Sequence, residues 1–232
     1  MLNKITIIGV GLIGGSLAKA IKANKLATVV CGYGRDQLRL EKAKKGNIID
    51  ELSTDIGEAI KGADIVVIAT PVGTFKQILE DIEPLISEQV IISDVGSTKT
   101  NIVKIVNTVL KEKSKCFVPA HPIAGKEKSG FEVSVSDLFE DKKVILTPLE
   151  NNAPESIKVI HDMWTGLGSE VDYMSSESHD ELLGMTSHLP HMLAFSLVNY
   201  LVSQNPTASI YAGGGFKDFS RIASGDAVMW RD

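Results

Sequence analysis

Two hydrophobic periods take turns along this chain. Ile5, Ile7 and Ile8 form a short apolar run suited to a strand covered on both faces. Ile13, Leu17, Ala20 and Ile21 then recur at helical spacing. The alternation repeats: strands are expected over 28–33, 63–70, 90–94 and 115–119. Helices are expected over 36–45, 74–85 and 98–110, with a brief turn over 56–61 and a short apolar stretch over 48–52. Strands alternating with helices predict a doubly wound, mostly parallel sheet with right-handed crossovers, an α/β fold.

Beyond residue 120 the texture changes. A polar loop is expected over 125–141, a strand over 144–147, a helix over 154–167 and a last strand over 170–173. A long helix follows over 178–202, with Leu182, Met185, Leu189, Met192, Phe195 and Leu197 on one face and a kink at Pro190. The pattern divides the chain into an α/β domain over 1–174 and a smaller helical domain over 175–232. That second domain is thin. It either packs against a second chain or continues beyond the sequence given.

Gly9, Gly11 and Gly14 form G-x-G-x-x-G between the first strand and the first helix. Gly9 permits the tight turn, Gly11 lets a pyrophosphate approach the backbone, and Gly14 lets helix and strand pack closely. The free N–H groups near Leu12 and Ile13 then face the pyrophosphate. Pro71, after Thr70, stops a core strand at the carboxyl edge, where ligands bind in such sheets. At the end of the second strand NAD-binding domains place a carboxylate on the ribose. Here Gly34 and Arg35 occupy that place, which favours NADP over NAD. Asp36 either caps the next helix or reaches the ribose itself.

Composition narrows the class. The chain has 232 residues, 44% hydrophobic and 23% charged, with net charge −5. The charge argues against a broad nucleic-acid surface, and no apolar run approaches the roughly 20 residues of a membrane span. Cys31 and Cys116 fall in expected strands and read as buried, reduced thiols. Without a signal peptide, the expected location is cytoplasmic.

The chemistry-bearing segments sit where strands meet the expected crevice: DVGSTK over 94–99, HPIAGKE over 121–127, SHLPH over 187–191 and GGGFKDFSRIA over 213–223. With GVGLIGGS over 9–16, ATPV over 69–72 and MWRD over 229–232, the chain resembles the prephenate/arogenate dehydrogenase family from Ile5 to Asp232. The resemblance implies a Rossmann-type domain followed by a helical dimerisation domain. It implies oxidative decarboxylation of prephenate or arogenate with NAD or NADP, in tyrosine biosynthesis, by a homodimer. The family's helical domain usually continues beyond this point.

His121 matches the family's catalytic histidine, and a neutral imidazole can take up the proton of the ring hydroxyl. Ser97 matches a serine bonding the same hydroxyl, although Ser97 and Thr98 also suit an N-cap of the next helix. Asp94 either stays structural or touches the nicotinamide ribose. Arg221 and Lys217 lie four apart and suit the substrate carboxylates. His188 matches a substrate-side histidine, His191 reads as packing or interface, and Glu127 is a candidate gate. His161 and His179 read as solvent-facing or capping residues. The spacing of His188 and His191 suits zinc, but Pro190 distorts the turn and no third ligand is near, so no metal is assigned. Two other classes remain. One is a nucleotide-binding regulatory module without catalysis. The other is a related β-hydroxyacid dehydrogenase using a lysine, for which Lys217 is the only hint.

Overall fold

The computed structural model describes residues 2–87, 89–126, 128–205 and 207–225. The first strand, β1 (Leu2–Ile8), is central. It pairs in parallel with β2 (Ala27–Tyr33) on one side and β4 (Ile65–Ile68) on the other, so that Ile5 lies between Val30 and Ile65. Adding β3 (Glu51–Ser53), β5 (Ile91–Asp94) and β6 (Phe117–Val118) gives a six-stranded parallel sheet of order β3-β2-β1-β4-β5-β6.

Side chains alternate across this sheet, as period-two geometry requires. Ile5, Ile7, Val30, Ile65 and Val67 share one core with Leu17 and Ile21 of α1 (Leu12–Ala23), Leu40 of α2 (Gln37–Lys45) and Trp164 of α6 (Pro154–Gly166). Ile8, Val66, Ile68 and Ile92 join the opposite core. Leu79 of α4 (Phe75–Ile82) and Ile102 and Val106 of α5 (Thr100–Leu110) complete it, with Ile60 of α3 (Ile56–Ile60). Strand order reverses between β1 and β4, which places a crevice at their carboxyl ends.

One expected strand is cut. The run over 115–119 is strand only at Phe117–Val118, and Pro119 passes the chain to a second sheet. Proline has no N–H for a ladder, so it suits such a handover. The second sheet has the order β7-β8-β9, from β7 (Ala120–Pro122), β8 (Lys143–Leu146) and β9 (Glu170–Tyr173). Strand β7 runs antiparallel to β8, with His121 opposite Ile145.

The expected long helix is present in altered form. It comprises α7 (Ser176–Leu183), a wide π turn at Gly184–His188 and α8 (Leu189–Gln204), with Pro190 in the first turn of α8. Proline removes a donor and clashes with the preceding turn, and i→i+5 closure is one way a helix absorbs this. On α8 only Ala194 is buried; Met192 is 52% exposed and Tyr200 65%. The short α9 (Gly214–Arg221) packs against α8. Cys31 and Cys116 are buried, and among the described residues neither forms a disulfide. Among the described residues no helix is long and apolar enough to cross a membrane.

Candidate active site

The glycine loop has the shape its spacing predicts. Gly9 has φ +98°, and a Cβ there would meet Thr70 Cγ2 at 2.6 Å and the Ala69 carbonyl oxygen at 2.9 Å. A Cβ on Gly14 would lie 2.1 Å from the Gly9 carbonyl oxygen. Gly11 differs: a Cβ there would have nothing within 4 Å. It is the N-cap of α1 and offers no side-chain cap, so the first helical N–H groups, at Leu12 and Ile13, open toward the crevice. Open space beside uncapped amides fits a pyrophosphate.

Thr70 and Pro71 close the other lip. The Thr74 hydroxyl lies 2.7 Å from the Pro71 carbonyl oxygen and 2.8 Å from Thr70 Oγ1. At the end of β2, Gly34 is half-buried and Arg35 exposed. Asp36 is committed elsewhere: it caps α2, accepting from the Arg39 amide at 3.1 Å.

His121 is half-buried on β7, in the middle of a network. Its Nδ1 lies 2.8 Å from Nε2 of His179, and His179 Nδ1 lies 2.8 Å from Oδ1 of Asp180. Asp180 also accepts from the main-chain amides of Lys99 at 2.7 Å and Thr100 at 2.8 Å. The Lys99 ammonium pairs with the Asp94 carboxylate and donates to the Ala120 carbonyl at 2.8 Å. Asp94 accepts from the Ala120 amide at 3.1 Å and the Gly96 amide at 2.7 Å.

This network corrects two expectations and decides between the two readings of Asp94. His179 is neither solvent-facing nor a cap: it is wholly buried against His121. Of the two readings of Asp94 the structural one fits: it is wholly buried with both oxygens engaged and holds the strand end. Ser97 and Thr98 do not cap α5. That helix starts at Thr100 without a local side-chain cap, and the Asp180 carboxylate reaches across from α7 to take the role. His161, read with His179 as solvent-facing, stacks on Tyr173 and lies 2.8 Å from its hydroxyl.

The electrostatics keep the imidazoles neutral. Burial pushes His121 well below the ordinary histidine range; Lys99, His179 and His188 push it further, and Asp180 opposes them. Burial also lowers His179 and His188. Burial pushes Asp180 upward, but hydrogen bonds from His179, Thr100 and Lys99 outweigh it and hold the carboxyl low. Burial raises Asp94 against the pull of Lys99, and lowers Lys99 against the pull of Asp94.

The remaining candidates lie around this network. Ser97 is exposed on the loop after β5, and His188 is half-buried at the end of the π turn. His191 Nδ1 lies 2.9 Å from the Ser187 carbonyl oxygen. Lys217 and Arg221 share α9, as four-residue spacing requires, and both are exposed. Glu127 and the MWRD segment lie outside the described residues. Sequence reasoning missed Lys99, His179 and Asp180. The adjacent His179-Asp180 pair on a helix facing the motif loops was the available signal.

Two family models match the chain: the prephenate dehydrogenase nucleotide-binding domain over residues 17–173 and the prephenate dehydrogenase dimerization domain over residues 175–232. The chain is 34% identical to the cyclohexadienyl dehydrogenase of Zymomonas mobilis, with 98% of this chain and 78% of that protein covered. It is 36% identical to the prephenate dehydrogenase of Bacillus subtilis, where it spans all of this chain but 63% of the relative. Among solved structures, Aquifex aeolicus prephenate dehydrogenase with hydroxyphenyl propionate and NAD+ superposes with a TM-score of 0.93. The two are 40% identical, over 100% of this chain and 82% of the other. Synechocystis arogenate dehydrogenase superposes with a TM-score of 0.81 at 28% identity, over 98% of this chain and 81% of that one. A parallel sheet with a glycine-rich crevice, a buried histidine network at its edge and matches of this extent lead to one statement: the chain belongs to the prephenate dehydrogenase family.

Proposed function

We propose that the protein oxidatively decarboxylates prephenate, arogenate or both, on the route to tyrosine. The observation that carries this reading is the neutral imidazole of His121, held beside the loop that follows β5. The dinucleotide, when bound, supplies the hydride acceptor. His121 takes the proton of the ring hydroxyl as hydride leaves the carbinol carbon. The carbon–carboxylate bond then breaks, CO2 departs and its electron pair completes the aromatic ring. Ser97 orients the hydroxyl, and Arg221 holds a substrate carboxylate with support from Lys217 and His188. Glu127 gates the pocket with a cation.

The cofactor we assign is NADP. The lip after β2 carries Gly34 and Arg35, and its nearest carboxylate, Asp36, is spent on the α2 cap. A guanidinium without a competing carboxylate suits a 2′-phosphate. The unit over 1–174 binds the nucleotide, and that over 175–232 makes a homodimer through the exposed apolar face of α8. Leu189, Met192, Leu193 and Tyr200 on that face are exposed among the described residues. Buried reduced cysteines fit the cytoplasm.

The test is an assay of each acid with NAD and with NADP, following absorbance of the reduced cofactor. Reduction with at least one pair, and faster with NADP, is expected. Cofactor binding without turnover of either acid would overturn the enzyme reading.

A further inference from the structure

A base needs more than a neutral ring: it needs its lone pair on the nitrogen facing the substrate. Hydrogen-bond direction decides where that lone pair sits. A carboxylate only accepts, so His179 carries its proton on Nδ1, 2.8 Å from Asp180 Oδ1. Its Nε2 is then bare and must accept. The group 2.8 Å away is His121 Nδ1, which therefore donates. His121 is left with a lone pair on Nε2, which makes no hydrogen bond among the described residues.

The same carboxylate acts at a second place. Asp180 stands at the N-terminus of α5, taking the amides of Lys99 and Thr100. Lys99 in turn holds the Ala120 carbonyl, and its partner Asp94 holds the Ala120 amide. The network thus closes on itself: His121 is fixed through its ring by α7 and through its preceding peptide by the DVGSTK loop.

We propose that His179 and Asp180 are positioning residues that set the His121 tautomer, and that Asp180 ties this setting to the docking of α7 on the nucleotide-binding half. The inference rests on His121 being the base. The charged and titratable groups that act on His121 are Lys99, His179, His188 and Asp180; the first three disfavour a second proton on the ring and Asp180 favours it. His179 is itself depressed by burial, consistent with a neutral link.

The test combines tautomer and kinetics. The chain has five histidines, so nitrogen-15 imidazole spectra of the whole protein are tractable. The wild type is expected to show His121 and His179 neutral, each with its proton on Nδ1. His179→Leu removes the acceptor; His179→Gln restores one in the form of an amide oxygen. The Leu variant is expected to lose about 100-fold in kcat with KM little changed, and to move the acid limb of its pH profile. The Gln variant is expected to recover at least about tenfold of that loss. A His121 proton on Nε2 in the wild type would overturn the proposal, whether or not the Leu variant folds. Equal losses in both variants with the His121 tautomer unchanged would do the same. If neither acid is turned over at all, the assigned activity fails, while the wild-type spectrum still decides the tautomer.

Discussion

His121 and His179 are 58 residues apart in sequence, yet Nδ1 of one lies 2.8 Å from Nε2 of the other, with the ring planes at 62°. The contact joins a strand of the small second sheet to the helix that leads into the C-terminal helices. It makes the reactive edge of His121 a property of both halves of the chain.

The first prediction concerns His121 itself. His121→Asn is expected to lower kcat by about 10³-fold or more, since a positioned base contributes about 10²–10⁴. Cofactor affinity should stay within about twofold of wild type, because the glycine loop is untouched. Fluorescence titration with the reduced dinucleotide, beside steady-state kinetics, checks both halves.

The glycines give a paired prediction. Gly14→Ala drives a methyl into the Gly9 carbonyl, so α1 must move; a cost of about 1–3 kcal/mol is expected, read as a lower urea midpoint. Gly11→Ala meets no protein atom, so stability should hold while dinucleotide affinity falls. Equal stability losses in both variants would contradict this account of the loop.

Arg35 sets the cofactor preference in our reading. Arg35→Ser is expected to weaken NADP by about 10- to 100-fold, the worth of a charge-assisted contact, and to leave NAD nearly unchanged. Parallel weakening of both cofactors would move the 2′-phosphate contact away from Arg35.

Stability should depend on pH in a stated direction. Burial lowers His121, His179 and His188 below the ordinary value of 6.5. Between that value and their folded values the unfolded chain binds more protons, so stability rises with pH there. The contribution is complete above about 6.5 and is lost as pH falls below it. Thermal midpoints measured across this window should drop on acidification, and drop less in His121→Asn.

The exposed apolar face of α8 predicts association. Leu193→Glu, at a position 54% exposed in the single chain, should shift the sedimentation profile from dimer toward monomer. A wild-type protein that sediments as a monomer at assay concentration would remove this face as the interface.

Much of the architecture was legible because it is local. Each strand is a short apolar run, each crossover has a helical period, and Gly9, Gly11 and Gly14 make a turn from their own backbones. Long-range partners were harder to read. Periodicity marks His179 as a helix residue and says nothing of a ring arriving from β7. Local capping rules favoured Ser97 and Thr98, but a carboxylate 80 residues further on took the α5 terminus. At Pro190 the chemistry marks an interruption of the helix; the widened turn just upstream of it depends on packing that no local rule encodes.

That widened turn constrains how the chain can vary in length. A π turn holds one residue more than an α turn, so one residue lost between Gly184 and His188 is absorbed by reverting to i→i+4 closure, whereas one residue gained there would swing everything downstream by about 100°. His188 would leave its place near His121, and the greasy ridge of α8 would rotate away from its present azimuth. Met185 and Thr186 are exposed and free to change identity, but a residue added between His179 and Leu189 would turn one end away from what it faces.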